Sequence, residues 1–227
     1  MDQEIINSYS KLSGLNVSRE TFSDFESYIS LILEKNEKIN LISNKFDEKN
    51  DIIERHIVDS AQIIDIVDFN SNTTTDIGSG NGMPGIIIAI LLKSLKKDIK
   101  VKLYEKSYHK SHFLRDVSTK LNLKTEIIQK NIFEEKKIET GTIMSRAFKP
   151  MPIVLDLVNE NFSNFSNIIF FMGKSGRETV KNTLKDWDLE YSEKKSLTSE
   201  ESFLINVKKI KRKRNNIKII KCKLFQS

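Results

Sequence analysis

Asp76-Ile77-Gly78-Ser79-Gly80-Asn81-Gly82-Met83-Pro84-Gly85 is the stretch that decides the fold. Thr73-Thr74-Thr75-Asp76-Ile77 before it reads as a β-branched strand. An apolar helix from Pro84 to about Leu95 follows it. Glycine admits positive φ and lets a ligand approach with no Cβ in the way, and Pro84 fits a first helical turn. Gly80, Gly82 and Gly85 also fit the dinucleotide pattern G-x-G-x-x-G, a weak match by itself. Asp76 tilts the reading away from a dinucleotide, because a carboxylate at the strand end suits a cationic amino-acid ligand better than a pyrophosphate.

Outward from the turn, strand and helix alternate. Lys100–Tyr104 reads as a strand ending near Glu105, Ser107–Leu121 as a helix, and Thr125–Ile128 and Gly141–Ser145 as short strands. Pro152–Phe162 reads as a helix, Asn167–Met172 as a buried strand and Gly176–Lys185 as a weak helix. Two last strands, around Asp188–Ser192 and Phe203–Lys208, have no helix between them and predict an antiparallel hairpin at a sheet edge. The alternation predicts an α/β fold with a mostly parallel sheet, helices on both faces and a ligand beyond the carboxyl ends of the strands. Residues 1–70 read as helical, with Phe22, Phe25, Tyr28, Ile29, Ile32 and Leu33 at helical spacing and a second helix from Ile52 to Val67. Polar residues around Asn44–Asn50 separate the two.

Glu105, 20 residues after Gly85, ends the second strand, where an acid can accept both ribose hydroxyls of an adenosine, whichever cofactor carries it. Arg146 follows the Gly141–Ser145 strand and could bind the carboxylate of an amino-acid ligand or a phosphate. His56 and Asp59 lie three apart on one helical face and could act as an acid–base group or simply fix a loop.

Size and composition bound the rest. The 227 residues suit one domain with an extension, and 30% charged residues suit a soluble protein. No apolar run approaches the roughly 18 residues of a membrane span. The acidic, polar start Met1-Asp2-Gln3-Glu4 does not read as a signal peptide, so a cytoplasmic protein is expected. A single cysteine, Cys222, excludes an internal disulfide, and three histidines give little basis for a metal. Net charge is +6, but Lys208–Ser227 alone holds seven lysines, two arginines and no acid. The other 207 residues are therefore net −3, so the basic excess lies in the tail, where a phosphate backbone is attracted.

The acid-led [DE]-x-G-x-G-x-G turn resembles the first motif of class I methyltransferases. Further motifs follow in order: Arg55-His56-Ile57-Val58-Asp59-Ser60, the Pro84-Gly85 end of the glycine turn, Glu105-Lys106 with Lys110 and Phe113-Leu114-Arg115, Ser145-Arg146-Ala147-Phe148, and Gly173-Lys174-Ser175-Gly176. Together they resemble the 16S ribosomal RNA guanine-N7 methyltransferase family, also called glucose-inhibited division protein B, over most of residues 30–210. The chain departs from the family in its Lys174-Ser175-Gly176 spacing and in having Glu105 where aspartate is frequent.

The resemblance implies a Rossmann-like sheet with residues 1–70 as a helical extension, 71–210 as the S-adenosylmethionine domain and 211–227 as a basic tail. The implied cofactor set is Asp76, Gly78, Gly80, Gly82, Met83, Glu105, Ile132, Phe133 and Arg146. Ile132 and Phe133 would flank the adenine, although on sequence alone core packing is the favoured reading of Phe133. Arg146, Lys174 and His56 are the candidate catalytic residues, with Lys174 directed to the RNA backbone or the target base. The implied partner is small-subunit ribosomal RNA or the assembling ribosomal particle, with no membrane and a monomer expected. Another RNA, a protein or a small molecule as acceptor remains open, as does a non-catalytic RNA-binding protein. An NAD oxidoreductase is the weaker alternative. Cys222 lies in the tail, so a covalent cysteine adduct on cytosine is not expected.

Overall fold

A computed structural model describes residues 9, 12, 18–36, 38–42 and 52–213. The polar separator around Asn44–Asn50 and most of the basic tail lie outside the described residues. Among the described residues, helix α1 (Arg19–Asn36) is the first regular element. The expected second helix is a π-helical stretch, Ile53–Val58, continued by one α turn, Asp59–Ala61, and a 3₁₀ turn, Ile64–Ile66.

Strands β1 (Thr73–Ile77), β2 (Lys100–Tyr104), β3 (Thr125–Ile128), β5 (Thr142–Ser145) and β7 (Asn167–Met172) are parallel, and β8 (Trp187–Lys195) and β9 (Phe203–Arg212) form the antiparallel hairpin. The sheet order is β3-β2-β1-β5-β7-β9-β8. β9, not β8, pairs with β7, so β8 is the edge strand. β9 runs to Arg212 and takes in the first two residues assigned to the tail. Two very short strands, β4 (Ile138–Glu139) and β6 (Phe162–Asn164), make a separate parallel pair with no counterpart in the sequence reading.

Helices α2 (Gly85–Ser94), α3 (Tyr108–Lys120), α4 (Met151–Asn161) and α5 (Gly176–Asp186) cover the sheet. Adjacent strand residues divide between two cores, as a period of two requires. Leu103, Met144, Ile169 and Leu204 join the core with α1, α2 and α3. Tyr104, Ile143, Ile168 and Ile205 join the core with α4. The near-continuous apolar run Ile86–Leu92 is thereby explained, since α2 is buried on all sides between α1 and the sheet. No described helix is long and apolar enough to cross a membrane.

β1 lies between β2 and β5, so the chain leaves its two neighbours in opposite directions. Loops after β1, β2 and β5 therefore part at one point above the sheet, where α/β sheets place their ligands.

Candidate functional site

The glycine turn is held by backbone bonds: the Gly78 and Ser79 amides both donate to the Tyr104 carbonyl at 3.0 Å, and the Gly82 amide donates to Ser79 O at 2.7 Å. Gly78 (φ +72) and Gly82 (φ +99) both need the left-handed region. Their surroundings differ. A Cβ on Gly82 would lie 2.5 Å from Ile86 and 2.9 Å from the Tyr28 hydroxyl, so Gly82 serves close packing beneath the turn. A Cβ on Gly78 would meet only the half-buried Phe148 ring, at 2.0 Å, while Gly80 faces open space.

A cleft of about 510 Å³ opens over the turn. Gly78 and Gly80 form its floor, Glu105 one wall, and Ile132, Phe133 and Phe148 an apolar side. The Phe133 and Phe148 ring centroids are 6.1 Å apart. Glu105 Oε2 accepts the Gly80 amide at 2.8 Å and Oε1 the Ser107 amide at 2.7 Å. Each carboxylate oxygen has two lone pairs, so both retain accepting capacity. A floor without side chains, an acid at the second strand end and an apolar slot fit an adenosyl group.

Asp76, Gly82 and Met83 do not line this cleft. Asp76 is 1% exposed, and its Oδ2 accepts the Gly85 amide at 3.0 Å, holding the start of α2 to the end of β1. Burial pushes its carboxyl up to about 7 against the pull of that amide. Met83 is buried beside Asn81, behind the turn.

Arg146 also lies outside the cleft, which Ala147 lines in its place. Arg146 NH2 donates to Arg55 O at 2.7 Å and approaches Asp59 Oδ2 and His56 Nδ1, both at 3.2 Å, while NH1 donates to Ser60 Oγ at 3.1 Å. A guanidinium can only donate, so His56 Nδ1 is the acceptor there. Burial draws the arginine toward its neutral form and Asp59 likewise, and each charge opposes the other's shift. In the structure Arg146 is paired with Asp59, and both side chains keep some exposure. The Arg55–Ser60 and Ser145–Phe148 motifs, about 90 residues apart, form one cluster. Sequence reasoning paired His56 with Asp59 but missed that Arg146 completes them; an arginine and an aspartate in two separate motifs were the available signal. Lys174 is exposed at the protein surface, 3.3 Å from Glu201.

A model of the family described as rRNA small subunit methyltransferase G matches residues 21–211. The chain belongs to that family. A ribosomal RNA small subunit methyltransferase G from Pelagibacter ubique is 58% identical over 212 residues, covering 93% of this chain and 99% of that protein. One from Bartonella tribocorum is 32% identical, covering 93% and 99%. Among solved structures, a SAM-dependent methyltransferase from Aquifex aeolicus superposes with a TM-score of 0.53 at 13% identity, covering 72% of this chain and 94% of that one. The fold is therefore that of S-adenosylmethionine-dependent methyltransferases, and the glycine cleft of this methyltransferase G family member lies at the carboxyl ends of the strands.

Proposed function

We propose that the chain transfers a methyl group from S-adenosylmethionine to N7 of a guanine in 16S ribosomal RNA. The single observation that carries this reading is the cleft that gathers Gly78, Gly80, Glu105 and Phe133 at the strand ends of a methyltransferase G family member. When bound, the cofactor supplies a methyl activated on a sulfonium: the N7 lone pair forms the new bond to carbon as the carbon–sulfur bond breaks, its electron pair staying on sulfur. No proton has to leave N7, so the chain needs no general base, and His56, held against Arg146, is not required to titrate. What the residues supply is placement, the main source of rate in such a displacement. Glu105 accepts the ribose hydroxyls, Ile132 and Phe133 flank the adenine, and Lys174 stands at the RNA-facing surface.

In this reading residues 71–210 carry the cofactor site, 1–70 are the helical extension that brings Asp59 to Arg146, and 211–227 are a basic tail that adds affinity for RNA. The chain is proposed to act as a monomer. The acceptor is the folded RNA or the assembling particle: a body that is net −3 outside Lys208–Ser227 must recognise shape with a few placed cations.

Thermal melting with S-adenosylhomocysteine, NAD and buffer tests the cofactor. A ligand that binds only the folded form raises the melting point. S-adenosylhomocysteine should do so and NAD should not. Glu105→Ala should weaken homocysteine-product binding by roughly 1–3 kcal/mol, the scale of a charge-assisted hydrogen bond. Unchanged affinity by calorimetry removes Glu105 from the site.

A further inference from the structure

Beside the cofactor cleft lies a second cavity of about 250 Å³, whose walls include Asp59, Arg146, Phe171 and Ser202. Ala147 lines both spaces. It holds φ +50, a conformation uncommon for a residue with a Cβ. At this turn Arg146 faces the second cavity and Phe148 faces the cleft. We infer that the second cavity receives the target guanine, with the Arg146 guanidinium donating to O6 and the Asp59 carboxylate accepting from N1–H. The inference rests on the guanine methylation proposed above.

Both side chains have capacity left for a base. Arg146 uses one NH1 hydrogen on Ser60 and its NH2 group on Arg55 O, His56 and Asp59. Its Nε–H and second NH1 hydrogen have no partner among the described residues. Asp59 Oδ1 is crowded, taking Gln62 Nε2 at 2.7 Å, Thr198 Oγ1 at 3.2 Å and Ser196 Oγ at 3.4 Å. Among the described residues Oδ2 meets Arg146 alone, at 3.2 Å, which leaves one of its two lone pairs. Neither side chain is sealed from the cavity: Arg146 is 17% and Asp59 15% exposed.

A fixed donor beside a fixed acceptor reads one base. Guanine offers an acceptor, O6, next to a donor, N1–H. Adenine offers a donor and an acceptor in the reverse order, so both contacts would be left unpaired in a half-buried site, which is how polar pockets discriminate strongly. Holding this edge leaves N7 free of hydrogen bonds, as a nucleophile requires. Methylation makes the ring cationic, and Asp59 is the carboxylate beside it. Phe171, half-buried with its ring 5.6 Å from the Arg146 guanidinium carbon, offers an aromatic face for stacking. Ser202 and Phe203 line both this cavity and an outer recess that holds Lys174, Arg177 and Lys195. With Glu200 and Glu201 in the same recess its net charge is one positive, and the three cations stand where the phosphates of the entering strand would pass.

The test is a competition assay with the full-length protein. It uses small-subunit RNA carrying either guanine or 2,6-diaminopurine at the position the wild type methylates. Diaminopurine keeps N7 and the 2-amino group but has an amino group at position 6 and a bare N1. The wild type should prefer guanine by at least about 100-fold. Asp59→Asn presents an amide that can donate to the bare N1 and should narrow that preference by about tenfold or more. The preference is a ratio within one protein, so a general loss of folding does not move it. A wild type that accepts diaminopurine within about threefold of guanine overturns the site without any variant, and so does an unchanged preference in Asp59→Asn. A wild type that leaves N7 of the unsubstituted RNA unmethylated refutes the reaction itself, a result distinct from either.

Discussion

Asp76 leads the glycine turn, yet its carboxylate faces inward and bonds the Gly85 amide. An acid whose pKa is raised on folding holds its proton more tightly in the folded chain. It therefore favours the fold fully below its ordinary value of 3.8, and that contribution is lost as pH rises through about 7. At about 1.4 kcal/mol per pH unit, the loss is on the order of 4 kcal/mol over the window. Asp76→Asn has no such group. The stability difference between wild type and variant, measured by urea unfolding at pH 4.5 and pH 8, should shift against the wild type at the higher pH; a pH-independent difference would contradict the buried, proton-holding state. The sequence placed a carboxylate at the strand end but not its direction. That direction follows from Gly85, where a Cβ would stand 2.6 Å from Asp76 Oδ2, so the glycine that ends the motif makes room for the acid that begins it. Glu105 was legible by its position: its carboxylate accepts the Gly80 and Ser107 amides on either side and still lines the cleft.

At the scale of elements, α1 is what the glycine turn rests on. Tyr28, fully buried, donates its hydroxyl to Asn81 O at 2.5 Å. Burial, and then the neighbouring Asp76, hold that hydroxyl protonated well beyond its ordinary range. Tyr28→Phe leaves a carbonyl without its donor and should cost about 1–2 kcal/mol, read as a lower melting temperature and a weaker response to S-adenosylhomocysteine. An unshifted melting point would show that the turn stands without α1. The elements that sequence reading found share a strong period or a glycine boundary, as β1, α2 and β7 do. β4 and β6, of two and three residues, are too short to carry any period. β8 and β9 extend beyond their expected ends through charged residues that carry no apolar alternation, Glu193, Lys194 and Lys195 in β8 and Lys209, Lys211 and Arg212 in β9. The π-helical stretch Ile53–Val58 keeps His56 and Asp59 on Arg146 although its turn is wider than the α turn the spacing predicts.

Across the whole molecule, the switch point of the sheet sets two spaces side by side, and the helical extension and the β5 loop build the second of them together. That joint is the part of the site the sequence kept hidden, because Asp59 and Arg146 belong to separate motifs and meet only in the fold. Only the glycine floor of the cleft was legible as a contiguous motif; the second cavity depends on tertiary contacts between the extension, β5 and β7. The central claim is methyl transfer to guanine N7 in small-subunit RNA. Its most direct measurement is mass mapping of methylated nucleosides in that RNA, from cells with and without this gene and after treatment of the unmethylated RNA or particle with purified protein and S-adenosylmethionine. The account predicts a 7-methylguanosine that disappears with the gene and is restored by the protein. A methyl group on any other atom, or an identical map with and without the gene, would contradict it.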